Sequence, residues 1–137
     1  MSLPGHGTAE GTRAFALRAG LDAHPSHFRE GPGGLLVSSV GLGTAGGEAD
    51  DSTDRLVESA VLESLRRGVN HLDTAISYRA QRSERVLGRV LKRLESLGVP
   101  RDGLVIATKG GTIPFDGEVP ENPEAWFEKH FVRAGVA

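Results

Sequence analysis

From Val37 onward the apolar positions follow two alternating periods. Three short apolar runs have the length and composition of buried strands: residues 38–44, residues 69–73 and Leu104-Val105-Ile106-Ala107-Thr108. The third is apolar on both faces, as a parallel strand covered by helices should be. Between the runs the apolar positions recur at helical spacing. Leu56, Val57, Ala60, Val61 and Leu65 predict one helix, capped at its start by Asp51 or Ser52 and closed by Gly68. Val86, Leu87, Val90, Leu91, Leu94 and Leu97 predict a second, capped by Ser83 and ending at Gly98 with Pro100 beyond it. Strand, helix, strand, helix, strand with short connections reads as right-handed βαβ units.

The flanking segments are less regular. Residues 8–19 suit a short helix or a strand, and residues 22–27 read as a connector. Gly31-Pro32-Gly33-Gly34 is a turn signal, and its flanks Phe28-Arg29 and Leu35-Leu36-Val37 suit a small hairpin. After Lys109 comes a loop over residues 110–117, and residues 123–131 predict a short helix capped by Asn122. The chain thus divides into an N-terminal extension over residues 1–27 and a partial α/β domain over residues 28–137. Three parallel strands leave an apolar sheet edge without a neighbour, so the pattern predicts an incomplete domain.

Composition narrows the picture by exclusion. With 137 residues and a formal net charge of -2, there is no electrostatic case for nucleic acid or an anionic membrane. The absence of cysteine excludes disulfides and cysteine metal sites, and no His, Asp and Glu grouping has metal-ligand spacing. The start, Met1-Ser2-Leu3-Pro4-Gly5-His6-Gly7, lacks the apolar core of a signal peptide, and no apolar run is long enough to span a bilayer. The expectation is a soluble, cytoplasmic protein. Nothing in the sequence sets an oligomeric state.

The candidate chemistry sits where the first strands end. Asp73 ends the run Asn70-His71-Leu72-Asp73, Tyr78 follows in Thr74-Ala75-Ile76-Ser77-Tyr78, and Lys109 ends Val105-Ile106-Ala107-Thr108-Lys109. Parallel strands would bring carboxylate, phenol and amine to one end of the sheet. A phenol is a reluctant acid at neutral pH unless its anion is stabilised. A neighbouring ammonium supplies that stabilisation, and a carboxylate keeps the ammonium charged and placed. Such a group can protonate a carbonyl oxygen. Taken one at a time, the three also read as a capping aspartate, a rim aromatic and a solvated lysine.

Asp73-Thr-Ala-x-x-Tyr78, Ser83-Glu84, Leu87-Gly88 and Thr108-Lys109, together with Gly41-Leu42-Gly43-Thr44 and Gly68-Val69-Asn70 upstream, resemble the aldo-keto reductase family. The resemblance is strongest over residues 28–109 and implies a (β/α)8 TIM barrel preceded by a hairpin. It further implies reduction of small aldehydes and ketones with NADPH, or NADH. In that frame Tyr78 is the general acid, Lys109 its tuner and Asp73 the anchor, all catalytic. Gly43, Thr44 and Asp73 would lie at the nicotinamide end of the cofactor. The family's fourth catalytic residue is a histidine ending the fourth barrel strand. His130 is the one histidine after Lys109, and it sits in a helical pattern. The expectation is therefore about three of the eight barrel units, in a chain inactive alone. The alternative is a non-catalytic protein binding cofactor or a partner on the same scaffold.

Several other patterns compete. Gly41-Leu42-Gly43-Thr44-Ala45-Gly46 matches the dinucleotide fingerprint G-x-G-x-x-G. Glu48, Asp50, Asp51 and Asp54 would however repel a phosphate at the next helix, and a Rossmann reading leaves Tyr78 and Lys109 unexplained. Arg79, Arg82, Arg85, Arg89, Lys92 and Arg93 read as a solvated helix face. His71 reads as a buried, hydrogen-bonded strand residue. Trp126, Phe127 and Phe131 suit either a pocket wall or packing against further structure.

Overall fold

The computed structural model describes residues 5–19 and 24–136. Residues 1–4 and 20–23 of the expected N-terminal extension lie outside these, the second stretch taking in the first two residues of the expected connector. The first element is helix α1 (Ala9–Ala19), with the Thr8 hydroxyl accepting from the Gly11 amide at 2.9 Å. It lies against a turn at Arg101–Gly103 so closely that a Cβ on Gly11 would stand 2.5 Å from the Asp102 backbone. Only glycine fits that contact.

The hairpin forms as the sequence predicts. Strands β1 (Phe28–Glu30) and β2 (Leu36–Ser38) pair antiparallel, with Arg29 opposite Val37, and the turn Pro32–Gly34 closes them. The next strand is shorter than expected. The chain bends at Ser39 and Val40, so β3 spans only Gly41–Gly43 and Ser38 belongs to the hairpin. The cause is Asn70, which is fully buried. Its side-chain oxygen accepts from the Ser38 amide, and its amide group donates to the Leu36 and Gly103 carbonyls. The hairpin is thereby pinned under the sheet instead of continuing into it.

Strand β3 pairs parallel with β4 (His71–Asp73), and β4 with β5 (Val105–Ala107), in the order β3-β4-β5. The register sets Gly43, Asp73 and Ala107 side by side at the C-terminal ends. Strand β5 was expected to be buried on both faces, but its three residues are only half-buried. It is a sheet edge among the described residues, with β4 on one side alone.

Helices α2 (Asp51–Arg66) and α3 (Arg82–Leu91) connect the parallel strands. The core joins Phe15, Val61, Leu65, Leu72, Leu87, Val90, Leu94 and Leu104. Burying a side chain such as Leu72 or Leu104 completely contributes about 1.5–3 kcal/mol each. Three details of the helical reading change. Asp50, not Asp51 or Ser52, caps α2, its carboxylate accepting from the Thr53 amide at 2.7 Å. Leu56 and Ala60 face outward on α2, Leu56 at 70% exposure, because the buried stripe runs through Val61 and Leu65 instead. Helix α3 begins at Arg82 after a left-handed Gln81, so Ser83 is no cap, and it ends at Leu91 before a separate turn at Glu95–Leu97.

Beyond β5 the chain runs as an irregular loop into α4 (Pro123–Phe127), capped by Asn122 as expected, and a widened turn at Glu128–Val132. The described residues form an α/β unit with one two-stranded and one three-stranded sheet, and no closed barrel.

Candidate functional site

The register of β4 and β5 brings Asp73 and Lys109 together. Lys109 follows β5 by two residues, and its Nζ donates to Asp73 Oδ1 at 2.5 Å and to the Thr74 carbonyl at 3.1 Å. Tyr78 arrives on the turn after β4, with Nζ of Lys109 4.9 Å from its ring centroid. The Asp73 carboxylate, and after it the Tyr78 hydroxyl, push the Lys109 ammonium above the usual lysine range. Lys109 therefore stays a cation at any physiological pH. The side chains of Lys109 and Asp73 are 50% and 36% exposed, so the cluster is open to a visiting molecule.

Gly43 ends the neighbouring strand and is exposed, and a Cβ built on it would meet nothing within 4 Å among the described residues. Space therefore lies open beside Asp73. Thr44 is placed differently. It is 1% exposed, and its hydroxyl is spent on Thr74 Oγ1 at 2.9 Å and the Asp73 carbonyl at 3.1 Å. Thr44 thus ties the end of β3 to the end of β4.

The arginine run is solvated at Arg85, Arg89, Lys92 and Arg93, but Arg79 and Arg82 turn inward. Arg79 is buried and pairs with Asp54 of α2, and Arg82 and Arg89 meet the same carboxylate at 3.1 and 3.3 Å. Arg93 pairs with Glu58 at 2.7 Å. Burial alone would raise the Asp54 carboxyl, but the guanidinium groups of Arg82, Arg89 and Arg79 hold it below the usual carboxylate range. A signal for this lay in the spacing. Asp54 falls on the same α2 face as Val57, Val61 and Leu65, where an unpaired acid would be costly.

Two further residues at this end lie in the family motifs, but their contacts here follow only from the packing. Ser83 is fully buried and donates to the Thr44 carbonyl at 2.6 Å, and Thr74 supplies both a carbonyl to Lys109 and a hydroxyl to Thr44. Elsewhere, His71 is half-buried, and His130 packs on Trp126 with ring centroids 4.9 Å apart. Phe115 and Phe131 also contact Trp126, in an aromatic cluster of the C-terminal segment. A groove of about 430 Å³ lined by Leu91, Leu94, Val99 and Pro100 contains none of the site residues. It lies at the N-terminal approach to β5, away from the strand ends that carry the charges. Among the described residues no His, Cys, Asp or Glu group is placed to hold a metal ion, and no helix is long and apolar enough to cross a membrane.

Fold and site together define an α/β protein whose titratable groups gather at the C-terminal ends of parallel strands, the usual position of barrel active sites. A model of the Aldo/keto reductase family matches residues 39–134, and the chain belongs to that family. Among curated relatives, L-galactose dehydrogenase of Arabidopsis thaliana is 38% identical over 84 residues, covering 57% of this chain and 24% of that protein. The NADH-specific methylglyoxal reductase of Escherichia coli (strain K12) is 36% identical over 84 residues, covering 58% of this chain and 24% of that protein. The chain thus spans about a quarter of the length of the relatives it matches.

Proposed function

We propose that the Asp73, Tyr78 and Lys109 cluster is the proton-donating centre of an oxidoreductase that reduces small aldehydes and ketones. The observation that carries this reading is the Lys109 ammonium, paired with Asp73 and lying against the only phenol of the chain. A carbonyl oxygen placed at the Tyr78 hydroxyl receives its proton as negative charge develops on it. The adjacent ammonium stabilises the phenolate left behind, and Asp73 prevents Lys109 from turning away into solvent. A bound nicotinamide, NADPH or NADH, supplies the hydride to the carbonyl carbon. Gly43 and Asp73 would border that ring, and Thr44 would hold the strand ends that shape its seat.

The presence of all three groups in one cluster, with Lys109 and Asp73 open to a visiting carbonyl, supports this reading over a non-catalytic scaffold. The three parallel strands and their two connecting helices match the opening of a (β/α)8 barrel, and we propose that architecture for the whole domain, with turnover dependent on the remaining units. In protein containing the complete domain, Tyr78→Phe is expected to abolish most carbonyl reduction while NAD(P)H still binds, as read by quenching of protein fluorescence. Turnover undiminished by that change would remove Tyr78 from the acid role.

A further inference from the structure

Directly after Tyr78 the backbone enters a left-handed turn: Arg79, Ala80 and Gln81 have φ of 50°, 51° and 68°. None is glycine, so each resists that conformation and the surroundings must impose it. They do so from two sides. On one, the buried Arg79 guanidinium reaches across to Asp54 of α2, and its Nε donates to Ser83 Oγ at 3.3 Å. On the other, the Gly117 amide donates to the Ala80 carbonyl at 2.8 Å, and the Gln81 side chain donates to the Phe115 carbonyl at 3.0 Å.

The Arg79 anchor is also wired to the other site residues. Ser83 donates to the Thr44 carbonyl, the Thr44 amide donates to the Asp73 carbonyl, the Thr44 hydroxyl bonds Thr74 Oγ1, and the Thr74 carbonyl accepts from Lys109. Among the described residues the buried Arg79 Nη1 finds no hydrogen-bond partner, and such a donor beside three strained residues is a local cost. Such costs concentrate where geometry serves function.

We propose that Asp54 and Arg79 are positioning residues: the buried ion pair holds the left-handed turn that sets the Tyr78 ring against Lys109. The inference rests on Tyr78 being the acid, but its test does not. Tyr78 is the only tyrosine of these 137 residues, so ring-labelled tyrosine gives this chain an NMR signal from Tyr78 alone, and in the complete domain its signal is the one lost in Tyr78→Phe. Asp54→Asn is expected to move or split that signal. In protein with the complete domain it should lower kcat about ten- to a hundredfold, with the KM for cofactor nearly unchanged.

If Asp54→Asn fails to fold, Arg79→Gly decides, since glycine adopts the turn freely while losing the anchor. It is expected to broaden the same signal and lower kcat, with Arg79→Lys restoring part of both. A folded variant of either kind with the wild-type tyrosine signal overturns the proposal, whatever its activity. A displaced signal in a protein whose Tyr78→Phe variant still turns over would keep Asp54 and Arg79 as positioning residues. It would overturn the acid assignment instead.

Discussion

Two charge clusters stand close together in this molecule, and they are built on opposite principles. At Asp54, guanidinium groups of Arg79, Arg82 and Arg89 surround one carboxylate, and the Arg79 and Asp54 side chains are 1% and 11% exposed. At Asp73, one ammonium meets one carboxylate beside a phenol, with side chains 50% and 36% exposed. The centre of the first cluster is buried, its Asp54 and Arg79 charges committed to each other, while Arg89 covers it from the solvent side. The second keeps its groups in contact with solvent, where a proton can come and go. The two differ in what their charges can meet: Asp54 and Arg79 are committed to each other, whereas Lys109 and Asp73 stay within reach of solvent.

Substitutions can break this contrast. The largest expected effect is catalytic: in protein with the complete domain, Tyr78→Phe should cut carbonyl reduction by about 10²–10⁴-fold with cofactor affinity nearly intact. Next is folding. Asp54→Ala leaves buried guanidinium charge uncompensated and is expected to cost about 3–5 kcal/mol in a urea titration. Asp73→Ala, at the half-exposed pair, should cost no more than about 1 kcal/mol by the same measurement. Equal losses at the two positions would erase the distinction between the clusters.

Acid sharpens it further. The folded-state pKa of Asp54 lies below its unfolded value, so its contribution is fully present above a pH of about 3.9. That contribution is lost as pH falls through the folded value. Wild type should therefore lose its stability advantage over Asp54→Asn on acidification below that range, as followed by circular dichroism. Lys109 has the opposite sign. Its pKa is raised, so the stabilisation from its pairing persists up to a pH of about 10.4 and fades as pH rises through the folded value.

Smaller effects belong to the helix ends and faces. Asp50→Ala removes the cap of α2 and should cost about 1 kcal/mol. Leu56→Ala should change stability by no more than about 0.5 kcal/mol, because Leu56 points to solvent despite its place in the apolar pattern.

Much of this was legible in the chain. The order hairpin, strand, helix, strand, helix, strand followed from Gly31-Pro32-Gly33-Gly34 and from the change of apolar period between residues 38 and 108. The meeting of Asp73 and Lys109 followed from both ending parallel strands, and the structure brings them into contact. What the pattern misjudged were positions where a polar group has a distant partner. Ser83 has the right residue type for a cap, yet it is buried against the Thr44 carbonyl, 39 residues away in sequence. The arginines have the composition of a wet face, yet Arg79 and Arg82 find acids on another helix. The strand expected at residues 38–44 is cut by Asn70, whose side chain claims the backbone of Ser38.

By itself, then, the sequence determined the local periods, the turn and cap residues, and the residue types at the strand ends. These depend on backbone sterics and on neighbours a few positions away, which the chain carries with it. Only the tertiary structure decided which charges are sealed and which stay open, where the left-handed turn after Tyr78 finds its anchor, and which face of α2 is buried. Those outcomes depend on desolvation and on pairing across 25 to 36 residues of chain, quantities that exist only once the helices have packed.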